Sequence, residues 1–200
     1  MTLEEPQTVR ACDYVFNKDI LVVKGALDFG ARLIEVAGHY GKWSRASTVP
    51  RGSPNALVYG AGRTNDSLVI SGRHYPPFTE FEGLLQQVLH GCAHVYRALN
   101  TNLHATRNTG FELLRYEVGQ QFEEHVDVIA GHRTWGARQL SIVAFLNDDF
   151  EGGELRFSRQ DLTIQPVAGD VILFPSAFTH PHAVLPVARG ARYAVVTWLI

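Results

Sequence analysis

Residues 123–128 read EEHVDV, and residues 178–193 read FTHPHAVLPVARGARY. On a strand, side chains two positions apart project from the same face, so His125 and Asp127 would point together. An imidazole and a carboxylate are both ligands for a divalent metal. Joined by one more histidine, they would grip such an ion from one side and leave positions open. That donor set suits ferrous oxygen chemistry, and it also suits Zn²⁺ carrying a hydrolytic water. The second stretch offers two histidines, His180 and His182, and their local spacing leaves the choice between them open. It also offers Arg192, whose guanidinium fork matches a carboxylate through two parallel charge-assisted bonds. An HxD triplet is a weak signal by itself, because polar strand faces produce it by accident.

The elements that must position these groups surround them. From residue 110 onward the chain runs FELLRYEV, QFEEHVDVI, QLSIVAFLN, ELRFS, LTIQPV, DVILFP, HAVLPV and RYAVVTWLI, broken by turns at VGQQ, AGHRTWG, NDDFEGG, VAGD and VARG. Eight short strands at that spacing predict an all-β barrel or jelly roll over about 106–200. If VARG closes a hairpin, His182 faces about residue 195, and Arg192 lies roughly 10 Å further along. Residues 1 to about 105 supply helical support and a lid. DYVFNKDILVV (13–23) suggests a strand entering a turn. ALDFGARLIEVAGHYG (26–41) has helical spacing with a stop at Gly41. PPFTEFEGLLQQVLHGCAHVYRALN (76–100) reads as a helix opened by a Thr79–Glu82 capping box. Between them, 42–76 reads as a long loop with a short strand at 68–70, the kind of loop that closes over a site. The whole chain, 1–200, is expected to be a single α+β domain, mainly β with N-terminal helices.

Composition limits the function classes. Two hundred residues, 46% of them hydrophobic, are enough for one sizeable core. A net charge of −2 lacks the basic excess of a phosphate-backbone binder, so no nucleic-acid partner is expected. Cys12 and Cys92 are too far apart in sequence for a metal-type pair, and the acidic N-terminus lacks the apolar run of a signal peptide. No stretch approaches a membrane span. The expectation is a reduced, cytoplasmic domain without a membrane partner. Oligomeric state is left open.

YEVGQQFEEHVD, FLNDDFEGGELRF, GDVILFPS and HPHAVLPVARGARYAVVTW, with GRTNDSLVISG (62–72) upstream, closely resemble the prolyl 4-hydroxylase-like branch of the Fe(II)/2-oxoglutarate-dependent dioxygenases. The resemblance covers about residues 60–200 and implies a double-stranded β-helix, the cupin-like jelly roll. It implies Fe(2+) held by His125, Asp127 and His182. Members place the second histidine four residues before a proline and nine or ten before a basic residue, and His182 meets both conditions with Pro186 and Arg192. Arg192 would then bind the far carboxylate of 2-oxoglutarate, and Tyr116 would line the cosubstrate pocket. The chain departs from the pattern at Phe145, where several relatives carry a tyrosine whose hydroxyl helps hold that carboxylate; Ser141 or another hydroxyl is the expected substitute. Arg63, Thr64 and Arg138 match substrate-side positions, and Trp135 lies where a lid aromatic would be useful. Trp198 reads as core and Asn147 as a residue opening a turn.

The reaction implied by the resemblance is hydroxylation of an aliphatic C–H by O2 with 2-oxoglutarate as cosubstrate, releasing succinate and CO2, with ascorbate as a reductant. The implied substrate is a prolyl residue of a protein or peptide; a free amino acid or a small-molecule natural product is the alternative. Related halogenases lack the carboxylate that Asp127 supplies. Nucleic-acid dealkylases of the same fold carry a second arginine where this chain has Trp198. A zinc hydrolase, which leaves Arg192 unexplained, and a non-enzymatic β-barrel binding module are the readings from other classes.

Overall fold

The computed structural model describes residues 13–48, 58–59, 62–128 and 138–200. A hairpin of β1 (Tyr14–Asn17) and β2 (Ile20–Val23) opens the described chain. Helix α1 (Gly30–Tyr40) follows, then the short strands β3 (Ser44–Arg45), β4 (Ser47–Thr48) and β5 (Val58–Tyr59). Strand β6 (Asp66–Ile70) leads into the long helix α2 (Phe78–Leu99). After α2 come β7 (Phe111–Tyr116), β8 (Phe122–His125), β9 (Leu140–Phe145), β10 (Glu151–Gly152) and β11 (Leu155–Phe157). The series ends with β12 (Leu162–Ile164), β13 (Val171–Pro175), β14 (His182–Val184), β15 (Val187–Arg189) and β16 (Arg192–Leu199).

These strands form two layers. The major sheet runs β1-β2-β13-β9-β16-β7-β6-β3, and the minor sheet runs β12-β11-β14-β8. One apolar core, with Tyr116, Phe145, Phe157, Phe174, Val184 and Val196, fills the space between them. A second core lies on the other face of the major sheet, where α1 and α2 pack. In α2 the buried residues Phe78, Phe81, Leu85, Leu89, Cys92, Ala93 and Tyr96 recur at helical spacing, so one stripe covers the sheet. Strand β9 is buried at every position because it has a core on each side. The architecture is the double-stranded β-helix, backed by helices. Among the described residues, no helix is long and apolar enough to cross a membrane.

Several local expectations are revised. VARG does not close a hairpin: β15 pairs with β10 in a separate two-stranded sheet, while β16 belongs to the major sheet. His182 pairs with His125 and Phe157 instead of facing residue 195. The turn at Gly190 (φ 76°) carries the chain from one layer to the other, so His182 and Arg192 meet across the barrel. Residues 13–23 form a complete hairpin, with β2 beside β13. Residues 42–76 are not one loop, since β3 and β6 extend the major sheet beyond β7. The expected capping box is also absent. Pro77 is the N-cap of α2 and makes no side-chain cap, while Glu82 accepts a 2.6 Å hydrogen bond from the Gly72 backbone N–H.

Candidate active site

His125 ends β8 and His182 begins β14, and the antiparallel pairing of these strands sets the two residues opposite each other. Asp127 follows two positions after His125. The donor atoms of all three lie within 4.8 Å of one another. His125 Nε2 is 3.6 Å from Asp127 Oδ1, and His182 Nε2 is 3.8 Å from Asp127 Oδ2. Each imidazole is fixed from behind. His125 Nδ1 lies 2.8 Å from the Glu123 carbonyl oxygen, and His182 Nδ1 lies 3.1 Å from that of His180. A carbonyl can only accept, so Nδ1 carries the proton in each ring and Nε2 turns a lone pair toward Asp127. The Phe122 ring stacks on His125 at 3.5 Å and limits its rotation.

The carboxylate is held with equal care. Ser141 Oγ donates to Asp127 Oδ2 at 2.5 Å and is itself 2.8 Å from Ser176 Oγ. Arg138 Nη1 donates to the Asp127 backbone oxygen at 3.3 Å. Burial pushes the Asp127 carboxyl up, but His182, His125 and the Ser141 hydroxyl outweigh it and hold the group well below the usual carboxylate range. Burial, with His125 alongside, pushes His182 down to about 4. At neutral pH Asp127 is thus a carboxylate and His182 a neutral imidazole, the forms in which these groups bind a divalent cation. The donor set fits ferrous iron.

His180 is excluded from that set by its own contacts. It is buried, its Nε2 lies 3.0 Å from the Lys18 carbonyl oxygen, and its Nδ1 lies 2.9 Å from Thr179 Oγ1. Both ring nitrogens are engaged by protein. His180→Ala should therefore retain metal binding, whereas His182→Ala should lose it; calorimetric titration with Mn(II) or Fe(II) reads both. Ser141 lines the pocket beside the metal donors, its hydroxyl engaged by Asp127 and Ser176. Ser141→Ala should weaken metal binding by about 10- to 100-fold, as losses of outer-shell partners do.

Arg192 opens β16 opposite Tyr116 of β7 and is 1% exposed. Its guanidinium lies between the rings of Tyr116 and Phe145, 5.0 and 5.1 Å from their centroids. Among the described residues its Nε has no hydrogen-bond partner and no carboxylate pairs with the group, and burial lowers its pKa. A buried cation without a counter-ion costs several kcal/mol, roughly. It lines the same pocket as His125, Asp127 and His182, a space of about 460 Å³ including its mouth. The pocket thus combines a metal donor set with an unmatched positive charge, an arrangement suited to a metal-chelating acid.

The substrate-side residues divide. Arg138 lies over the Trp198 ring at 3.5 Å, and burial lowers its pKa to about 10. Trp198 packs against the inter-sheet core, as expected, and its half-buried ring also lines the pocket. Strand alternation could have shown this, because Trp198 lies six residues from Arg192 and so shares its face. Arg63 is 4.8 Å from the Phe122 ring and donates to Asn65 Oδ1 and the Ser47 carbonyl, with Glu112 3.9 Å away. The Thr64 hydroxyl accepts from the Gln121 N–H, just before β8. Trp135 lies outside the described residues. Phe122, as the platform for His125, had no sequence signal beyond its proximity.

Residues 111–200 match the family model described as the 2OG-Fe(II) oxygenase superfamily. Prolyl 3-hydroxylase 2 of Rattus norvegicus is 42% identical over 66 residues, covering 30% of this chain and 9% of that protein. Probable prolyl 4-hydroxylase 3 of Arabidopsis thaliana is 27% identical over 128 residues, covering 50% of this chain and 45% of that one. The chain thus spans only part of these relatives. A prolyl hydroxylase of Trichoplax adhaerens, solved with a hypoxia inducible factor peptide fragment, shares the fold at a TM-score of 0.70 and 19% identity, over 92% of this chain and 84% of that one.

Proposed function

We propose that this chain, whose residues 111–200 match the 2OG-Fe(II) oxygenase superfamily, is an Fe(II)/2-oxoglutarate-dependent hydroxylase of a prolyl residue in a protein or peptide. The observation that carries the reading is the meeting, in one pocket, of three convergent metal donors and a buried guanidinium that has no acid of its own among the described residues. With ferrous iron and 2-oxoglutarate bound, the site would supply O2-dependent hydroxylation of a C–H bond with release of succinate and CO2. His125, Asp127 and His182 would hold the iron. Arg192 would receive the far carboxylate of the diacid, which neutralises the charge that the fold has buried. Tyr116 and Phe145 flank that guanidinium and keep water from its faces.

Substrate choice would fall to the pocket's edge. The Arg138 guanidinium stacked on Trp198 presents a flat, partly apolar surface, which suits a saturated ring flanked by peptide groups. Prolyl hydroxylases among the relatives support this class of substrate. The test incubates Fe(II)-loaded protein with 2-oxoglutarate, ascorbate and proline-containing peptides. Succinate release coupled to the gain of one oxygen on a prolyl residue is expected. Oxygen gain only on free proline or another small molecule would reject the peptide reading. Peptide-bond cleavage without succinate would reject the oxygenase reading altogether.

A further inference from the structure

Strand β16 reaches Arg192 past the end of its pairing with β9, whose last partners are Phe145 and Ala194. The strand start would be free on that side, but the Asn147 side chain extends the hold. Its Nδ2 donates to the Ala191 carbonyl at 2.7 Å, and its Oδ1 accepts from the Tyr193 N–H at 2.7 Å. Those two groups belong to the peptide units on either side of Arg192. One amide therefore fixes the backbone at both flanks of the guanidinium's residue. Asn147 is tied in turn to Asp149 Oδ1 at 2.6 Å, and the Leu146 N–H donates to the Tyr193 carbonyl at 3.0 Å.

The same segment makes room for the Arg192 side chain. Gly153 has φ +66°, and a Cβ there would lie 2.9 Å from Arg192 Cδ and 3.1 Å from the Phe150 ring. Any side chain at 153 must displace the arginine's stem or the phenylalanine. Backbone and side chain of Arg192 are thus set by two residues of one turn, neither of which touches the pocket.

We propose that Asn147 and Gly153 are positioning residues that set how far the Arg192 guanidinium stands from the metal donors. They would thereby determine which length of 2-oxo diacid the pocket accepts. The inference rests on the reading of Arg192 as the carboxylate anchor. A diacid chelated at one end must meet the guanidinium at the other, so a shift of about 1 Å is enough to alter the fit.

The experiment measures binding of 2-oxoglutarate and its one-carbon-longer homologue, 2-oxoadipate, to Mn(II)-loaded protein by calorimetry. Asn147→Ala and Gly153→Ala are compared with the parent protein and Arg192→Ala. Asn147→Ala should weaken 2-oxoglutarate by about tenfold, and both variants should change the preference between the two acids by at least about threefold. Mn(II) affinity should stay within about twofold, because the metal donors lie on β14 and on or just after β8. If one variant fails to fold, the other carries the test. Loss of metal and acid binding in equal measure, or an unchanged length preference in the folded variants while Arg192→Ala loses the acid, would overturn the proposal. If the parent and Arg192→Ala bind 2-oxoglutarate alike, the anchor reading itself fails and takes this inference with it.

Discussion

Arg192→Met should make the ligand-free protein more stable and at the same time remove its response to 2-oxoglutarate. The guanidinium is fully enclosed between two aromatic rings and has no acidic partner among the described residues. Folding without ligand leaves that charge desolvated, and replacement of buried ions by apolar side chains of similar volume commonly stabilises by about 1–4 kcal/mol. Bound acid reverses the balance, because truncating one partner of a buried charge pair costs about 2–5 kcal/mol. That corresponds to a loss of roughly 30- to several-thousand-fold in 2-oxoglutarate affinity. Thermal melts with and without the acid read both halves. An arginine that served only packing would give a destabilised variant whose ligand response was unchanged.

Asp127→Ala should abolish turnover and reduce metal affinity by more than the hundredfold typical of outer-shell losses. Asp127 faces both imidazoles and is the only carboxylate in the donor set. Its removal also takes away the carboxylate to which the Ser141 hydroxyl donates. Asp127→Glu is a stricter probe, since it keeps the charge but moves it by one methylene in a site whose donors lie within 4.8 Å. It should recover part of the metal binding and little of the turnover, because reactive geometry tolerates less displacement than chelation does. Metal titration beside succinate release separates the two. Normal activity in Asp127→Ala would remove the carboxylate from the site.

Much of the site was legible in the sequence because its chemistry is local. His125 and Asp127 share a strand face by spacing alone, and the family-like spacing from Pro186 and Arg192 selected His182 over its neighbour. Contacts explain that selection: both nitrogens of His180 have protein partners. The strands after residue 110 were legible because each alternates or is bounded by turn residues. Trp198 was read as core, which it packs against, but its place in the pocket wall was missed although it shares the inward face of Arg192. What could not be read is how the layers meet. The sequence around Gly190 looks like a hairpin turn, and only the pairing of β15 with β10 shows that the chain changes sheets there. Ser141 likewise looked like a substitute hydroxyl for the cosubstrate, and its distance from Asp127 is a tertiary fact. The capping box failed for the same reason, as Glu82 found a better donor in Gly72. Residues 42–76 resembled a lid because edge strands as short as β3 carry too few residues for a periodic signal.

The most direct measurement is an anaerobic titration of 2-oxoglutarate into the protein with and without Fe(II), followed by admission of O2 and quantification of succinate. The expected result is saturable binding of one acid per chain that depends on the metal, with succinate formed only when both are present. Metal-independent binding, or saturation followed by no succinate in the presence of a proline-containing peptide, would contradict a ferrous site that uses Arg192 to anchor its cosubstrate.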